Sequence, residues 1–484
     1  MSSNFFRGTI SLSIATLFFF GVGYLIQYGI AWFVPHEHYG NFGTVLYFLS
    51  TIENIFVGGL SLSVSRFLAE NPLAGAAIIR KSRLIQIIIA MVCMGALAVA
   101  VPYLGRAFHS EEIERLLWIV VAIIPFYSAR GWIQGILGGQ QEFIGQAKIK
   151  TSTGIVKLVL VFAALLIGYE TMGVLFGYLL SGVFGYFYAR TFVHPIQDKQ
   201  DISFSTILRY TVSATIFLVV FPLFFNMDVF LVKSLADSSM NSDSYIAATT
   251  LARLPFYLFT GVLLTLLPSV SHLKETSIQQ VERLFGEVLR YSLIFLLPMI
   301  TMIVATAKDL LTLLYPDRAG YVTTQSVESL KFLIIGICAL IVFRLFSTVV
   351  VGITTPHRVM GVTLIMIITN AMASFFLVPR YGPIGAAISL MICSLLGLLW
   401  MILEAQKHFH VILPVSSLRN IIVGSAVVGI VALYHPTGLL LIVELIALGG
   451  LYVVVLWMFR EIQQKDISRL MRIIKRAPIR EELA

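Results

Sequence analysis

The sequence predicts an all-α polytopic membrane protein of about fourteen transmembrane helices, arranged as two six-helix lobes plus two extra C-terminal helices. Three observations carry this. Hydrophobic residues make up 58% of the 484-residue chain, charged residues only 12%, and the mean hydropathy is +0.90. Apolar runs of about 20 residues, the length at which a helix crosses a bilayer, recur from end to end. Loops stay within roughly 20 residues, which leaves no room for an extramembrane catalytic domain.

The first span is placed at 10–34. Its short polar start imitates a secretory signal, but the run from Ile10 to Val34 is too long for an h-region and lacks a small-residue cleavage site, so it is expected to be retained. Span 2 (40–65) holds Gly58 and Gly59 as a candidate break. Spans 3 to 6 are placed at 84–104, 116–136, 150–168 and 171–193. Spans 7 to 9, at 206–232, 243–271 and 286–307, contain Pro222, Pro255, Pro268 and Pro298, which remove backbone donors and mark expected interruptions. Spans 10 to 12 fall at 327–352, 358–379 and 382–404. Spans 13 and 14, at 416–434 and 437–459, are poorer in polar residues, with His435 and Glu444 their main ionisable groups. Cys93, Cys338 and Cys393 all lie inside spans and read as packing residues.

Charge distribution sets the orientation. With the N-terminus in the cytoplasm, most of the 34 Lys and Arg lie on that side, which fits the positive-inside rule and puts both termini there in a cell (inner or plasma) membrane. An odd number of spans would place the last basic cluster outside, so an even number is expected. The net charge of +9 thus belongs to the membrane surface and not to a nucleic acid partner. Beyond span 14, Ile467, Leu470, Met471 and Ile474 recur at helical spacing among Lys465, Arg469, Arg472, Lys475 and Arg476. This reads either as an amphipathic helix on the inner leaflet or as a solvated basic tail.

The chain repeats itself. Tyr39 and Ser63-Val64-Ser65 recur 206 positions later as Tyr245 and Ser269-Val270-Ser271, and Arg130 with Gly138 recurs 214 later as Arg344 with Gly352. Tyr169 and Gly173 recur as Tyr381 and Gly385. Such matches pair spans 2, 4 and 6 with 8, 10 and 12, which makes the halves parallel repeats. The expected division is 1–200 (spans 1–6), 201–412 (spans 7–12), 413–459 (spans 13–14) and a basic tail over 460–484.

Four cations, Arg130, Lys157, Arg253 and Arg344, sit inside otherwise apolar spans. A cation at mid-membrane costs about 2.5 to 3.5 kcal/mol on insertion scales, so it is expected to face a wet cavity or a partner. Helical spacing groups Tyr127, Arg130 and Gln134; Lys150, Thr153 and Lys157; Thr249, Arg253, Tyr257 and Thr260; and Tyr24, Gln27 and Tyr28. Arg253, Arg130, Arg344, Lys157, Tyr257, Tyr24 and Gln27 are therefore candidates to line a cationic chamber for an anion. Arg suits phosphate by its fork of donors. The bland alternative has Arg130, Arg344 and Lys157 snorkelling to the cytoplasmic headgroups. Among acids, Glu53 beside Asn54 could pair with a cation or bind a coupling H⁺ or Na⁺, and Asp228 could do the same or merely cap its helix. There is no Gly-rich phosphate loop with Lys and no paired-Cys metal spacing, so no catalytic residue, cofactor or metal is predicted.

Several segments resemble one family. Asn226-Met-Asp228-Val-Phe-Leu-Val, Tyr245-Ile-Ala-Ala, Leu267-Pro268-Ser-Val-Ser271, Gly139-Gln-Gln-Glu-Phe-Ile-Gly145 and Tyr381-Gly-Pro-Ile-Gly385-Ala-Ala-Ile-Ser389 are similar to the polysaccharide transporter family, the Wzx-type oligosaccharide flippases, over essentially the whole chain. These are relatives of the lipid II flippase and of multidrug and toxin extrusion transporters. The resemblance implies two six-helix lobes around a cationic chamber. It implies alternating access and a polyprenyl-pyrophosphate-linked oligosaccharide moved from the inner to the outer leaflet, with membrane lipids and glycan polymerases or glycosyltransferases as partners. A cation-coupled multidrug exporter is the alternative within transport, although it would want acids in the chamber. A membrane enzyme of polysaccharide assembly is the alternative outside it.

Overall fold

The computed structural model describes residues 3–194, 200–236, 239–274, 277–315, 320–354, 356–410, 415–434 and 438–461. Every expected span is helical. In chain order they are α1 (Ser3–Phe33), then α2 (His36–Asn54), a π turn (Ile55–Leu60) and α3 (Ser61–Glu70) sharing the second span. α4 (Gly75–Ala107), α5 (Glu111–Gly139), α6 (Phe143–Ile167), α7 (Glu170–Arg190) and α8 (Phe204–Leu235) follow. α9 (Ser239–Ala252) and α10 (Leu254–Lys274) share the eighth span. The rest are α11 (Ile278–Leu314), α12 (Thr324–Ile353), α13 (Pro356–Tyr381), α14 (Pro383–Ala405), α15 (Val415–Val431) and α16 (Leu440–Met458). Thirteen segments are long and apolar enough to cross a membrane, and Ser416–Val431 in α15 is a shorter apolar helix at the thirteenth expected position.

The observed helices overrun the expected ones at charged ends. α4 begins at Gly75 instead of 84 and α6 at Phe143 instead of 150. Hydropathy stops at Arg80, Lys81 or Lys150, but a helix that satisfies its own backbone has no reason to end there. Lys81 even finds a partner, donating to the Asp201 carboxylate at 2.6 Å and to the Ile202 carbonyl at 2.6 Å just before α8. Asp201 lies outside the spans, and its carboxyl is held below the usual range by this hydrogen bond.

The breaks correct part of the sequence reading. Pro255 does adjoin an interruption, at Arg253 between α9 and α10, and Gly58 and Gly59 lie in the π turn. Pro222, Pro268 and Pro298, by contrast, stay inside α8, α10 and α11. α11 departs from helical geometry at Thr306 instead (φ −106°, ψ 16°). Tight neighbours in a membrane bundle can re-satisfy the carbonyl a proline frees, so a proline alone does not decide a break.

Packing follows a repeated scheme. In the first half α1 packs on α6, α3 and α4 on α5, and α5 and α6 on α7; six spans later α8 packs on α13, α10 and α11 on α12, and α12 and α13 on α14. Small residues permit the close approaches, as lipid offers no hydrophobic drive between helices. A Cβ on Gly29 would meet the Phe162 ring at 2.7 Å, and one on Gly336 would meet the Met391 backbone at 2.9 Å. The halves meet where α2, the π turn and α3 run along α8, where α2 packs on α9, and where α1 touches α10. α15 and α16 pack on α11. Arg290 Nε donates to Glu461 Oε1 at 2.8 Å and Ser417 Oγ to the same atom at 2.7 Å, which fastens the chain after α16 to α11 and α15. The expected amphipathic tail beyond Glu461 lies outside the described residues.

Candidate functional site

Arg253 occupies the turn between α9 and α10, where Pro255 supplies no backbone donor. Its side chain is 1% exposed, and in this conformation it reaches no open space. Nη2 donates to Asp228 Oδ1 at 2.8 Å and to the Phe225 carbonyl, and Nη1 donates to Asn226 Oδ1 at 2.9 Å. The guanidinium lies over the Tyr47 and Phe225 rings at 4.5 and 4.4 Å. Tyr245 donates to the other Asp228 oxygen at 2.8 Å, and Asn226 Nδ2 donates to Thr51 Oγ1 of α2 at 2.9 Å. Asp228 therefore does not cap its helix; it neutralises Arg253. A buried pair of this kind repays its desolvation only when the remaining donors and acceptors are also met, and here most are.

Tyr24, Gln27 and Tyr257 join the same region from α1 and α10. Tyr24 donates to the Thr250 carbonyl at 3.1 Å, Gln27 Nε2 to Thr250 Oγ1 at 3.3 Å, and Tyr257 packs against Phe20 and Tyr24 with ring centroids 4.8 and 6.0 Å away. These residues tie α1 to α9 and α10 across the two halves.

A second cluster lies wholly within the first half. Arg130 on α5 donates to Glu53 Oε1 at 2.5 Å and sits over the Tyr127 ring at 4.5 Å. Of the two partners, Arg130 is 4% exposed and Glu53 26%. Lys157 on α6 lies between the Phe19 and Tyr178 rings, 4.4 Å from each, and no carboxylate accepts from it among the described residues. Lys157 lies about 21 Å along α6 from its start at Phe143. Lys150 donates to Thr16 Oγ1 at 3.0 Å. Asn54 Nδ2 donates back to the Ser50 carbonyl of its own helix at 2.8 Å.

Arg344, the repeat counterpart of Arg130, differs from it. Its guanidinium lies over the Phe221 ring of α8 at 4.4 Å, its Nε is buried without a hydrogen bond, and no carboxylate meets it among the described residues. The position matching Glu53 in the repeat is Phe259, which is buried. Of the four intramembrane cations, two are thus paired with carboxylates and two are not.

Sequence reasoning missed the closure at the end of the bundle opposite the N-terminus. There Gly40 N donates to Asp243 Oδ1 at 2.8 Å, and the Tyr39 and Tyr315 hydroxyls are 3.2 Å apart. Tyr315 also donates to the Ala247 carbonyl at 3.2 Å, and Tyr321 packs on both rings. A Cβ on Gly43 would meet Ile246 at 2.6 Å, so the backbones of α2 and α9 approach closely. Nearby, Glu112 accepts from Asn41 at 2.7 Å and Thr171 at 2.9 Å. The signal was present: Tyr39 and Tyr245 are a repeat pair, and both are fully buried. Among the described residues no group of three or more His, Cys, Asp or Glu could hold a metal ion.

Comparisons with known proteins agree with this architecture. The family model described as "Polysaccharide biosynthesis protein" matches residues 5–274. The chain is 22% identical over 433 residues to an uncharacterized membrane protein, MJ1375, of Methanocaldococcus jannaschii, covering 83% of this chain and 99% of that protein. It is 22% identical over 376 residues to the probable flippase AglR of Haloferax volcanii, covering 75% and 76% respectively. The fold matches the lipid II flippase MurJ in an inward closed conformation with TM-score 0.73, 16% identity and coverage of 95% of this chain and 99% of that one. It also matches a multidrug resistance MATE transporter in an inward-facing conformation with TM-score 0.69, 14% identity and coverage of 83% and 98%. The chain belongs to the polysaccharide biosynthesis protein family, as a multi-pass membrane protein with the fold shared by the MurJ and MATE structures.

Proposed function

We propose that this protein moves a polyprenyl-pyrophosphate-linked oligosaccharide from the cytoplasmic to the outer leaflet of the cell membrane by alternating access, during assembly of a surface polysaccharide. The observation that carries this reading is the charge balance of the interior. No carboxylate forms a salt bridge with the intramembrane cations Lys157 and Arg344 among the described residues, and Glu53 and Asp228 are hydrogen-bonded to Arg130 and Arg253. An interior of that sign favours an anion, and pyrophosphate is the anion such a lipid carries. A cation-coupled drug exporter remains the alternative, and its cargo would be repelled by the same charge.

Both termini are taken as cytoplasmic, so the Tyr39–Tyr315 and Gly40–Asp243 contacts close the outer exit. Residues 1–200 and 201–412 act as the two rocking units, and α15 and α16 ride on the second. Glycosyltransferases and a glycan polymerase are the expected partners before and after transport. The test is reconstitution in liposomes with a fluorescent sugar on a polyprenyl pyrophosphate carrier. Protein-dependent loss of probe from one leaflet is expected. Absence of that movement, with efflux of cationic dyes in its place, would overturn the reading.

A further inference from the structure

Between α5, α6 and α7 the interior of the first half is rich in donors and poor in acceptors. Among the described residues, Tyr127 Oη, Arg130 Nε and Thr153 Oγ1 are buried with no hydrogen-bond partner, and their side chains are all more than nine-tenths buried. The Lys157 ammonium adds further donors: it lies between two ring faces, within electrostatic reach of Glu53 but not hydrogen-bonded to it among the described residues. α7 makes the room with glycines. A Cβ on Gly182 would meet the Tyr127 ring at 2.7 Å, and one on Gly185 would meet Thr153 Oγ1 at 2.9 Å and Arg130 Cδ at 3.3 Å. Glycine at these positions is thus what lets two hydroxyls and a guanidinium crowd one place. Buried donors left unmade are costly, and several around one space call for a ligand with many acceptor oxygens.

One acceptor is already there. Glu53 takes a single N–H of Arg130, and it is the more exposed member of the pair. A carboxylate on a helix next to the π turn Ile55–Leu60 can swing away more easily than one clamped on all sides, and Asp228 shows what a clamped one looks like.

Resting on the proposed transport of a pyrophosphate-linked lipid, we propose that this pocket is the subsite for one phosphate group and that Glu53 is its resident stand-in. The phosphate takes the place of Glu53 on Arg130 and gathers Lys157, Thr153 and Tyr127, while Glu53 moves out toward the exposed side. No bond is made or broken. The exchange also removes one of the ties between α2 and α5 and leaves the Asn41–Glu112 bond at their far end, and α2 carries Tyr39 and Gly40 of the far closure, so occupancy of this cluster reaches the gate through one helix.

The experiment uses full-length protein in phosphatidylcholine nanodiscs, with farnesyl pyrophosphate and inorganic pyrophosphate as titrants in chloride-free buffer. Farnesyl pyrophosphate is expected to bind. Glu53→Gln, which removes the competitor charge, should tighten binding by about tenfold, and Lys157→Met or Thr153→Val should weaken it by about tenfold, the scale of one charge-assisted hydrogen bond. Melting curves show that each variant is folded, and Glu53→Gln keeps an acceptor for Arg130. Equal binding of inorganic pyrophosphate with the same variant pattern would uphold the phosphate subsite and make free pyrophosphate its source. Binding that ignores all three substitutions, or appears only when chloride or phosphatidylglycerol is added, would overturn the subsite, as would weaker binding in Glu53→Gln. Intact binding without translocation of the lipid-linked sugar would sink the transport reading and leave the subsite standing.

Discussion

Two ion pairs hold Glu53 and Asp228, and they are built differently. Arg253–Asp228 is enclosed: both side chains are essentially unexposed, and Tyr245, Asn226 and the Phe225 carbonyl meet all of the pair's polar atoms but Arg253 Nε. Arg130–Glu53 has one hydrogen bond, a partly exposed carboxylate and unmet donors around it. The same chemistry therefore serves two ends. A pair enclosed and held by further partners on several helices is architecture, and it ties α8 to α9 and, through Asn226, to α2. A pair left incomplete keeps the option of exchanging one partner for something else.

The largest way to break this contrast is Asp228→Ala. It strands a fully buried guanidinium, and removing one member of such a pair costs about 3–5 kcal/mol, so the variant should melt well below the wild type or fail to accumulate. Arg253→Ala should also lose more stability than Glu53→Gln. A fully stable Arg253→Ala that no longer transports would return Arg253 to the substrate.

Gly40→Ala should come next. Its Cβ would fall 2.0 Å from Asp243 Oδ1 and 2.9 Å from the Asp243 backbone, and overpacking of that kind costs about 1–3 kcal/mol. The expected outcome is a far end that springs open, read as faster thiol labelling of a cysteine placed at Tyr39. Unchanged labelling would mean that the closure yields without opening.

Glu53→Gln should have a smaller effect on stability, about 1 kcal/mol or less, since the amide still accepts from Arg130 and the site is partly exposed. If Glu53 couples transport to H⁺ or Na⁺, this variant loses gradient dependence in vesicles; transport with its pH and sodium response intact would exclude coupling there. The smallest stability effect is expected for Arg344→Gln, which orphans no described carboxylate. It should lower affinity for a pyrophosphate lipid with the melting temperature nearly unchanged. A large drop in melting temperature would show that Arg344 has a structural partner after all.

Much of this molecule was legible in the chain. The thirteen membrane-length spans and the shorter helix at the thirteenth expected position, the break at Pro255, the weak point at Gly58-Gly59 and the repeat pair Tyr39 and Tyr245 could be read directly. The helix ends at Gly75 and Phe143 could not, because hydropathy records where apolar side chains stop and not where backbone hydrogen bonding does. Nor could the fate of Pro222, Pro268 and Pro298, which depends on what packs around the freed carbonyls.

What the sequence by itself determined is which residues cannot face lipid. Arg130, Lys157, Arg253, Arg344, Glu53 and Asp228 announce themselves against their apolar neighbours because transfer cost is a property of each residue and its span. Which of these charges are neutralised was decided only by the tertiary structure. Glu53 meets Arg130 across 77 positions and Asp228 meets Arg253 across 25. Coulomb energy depends on distance in space, and a few ångströms separate a committed ion pair from a cation still open to an anion.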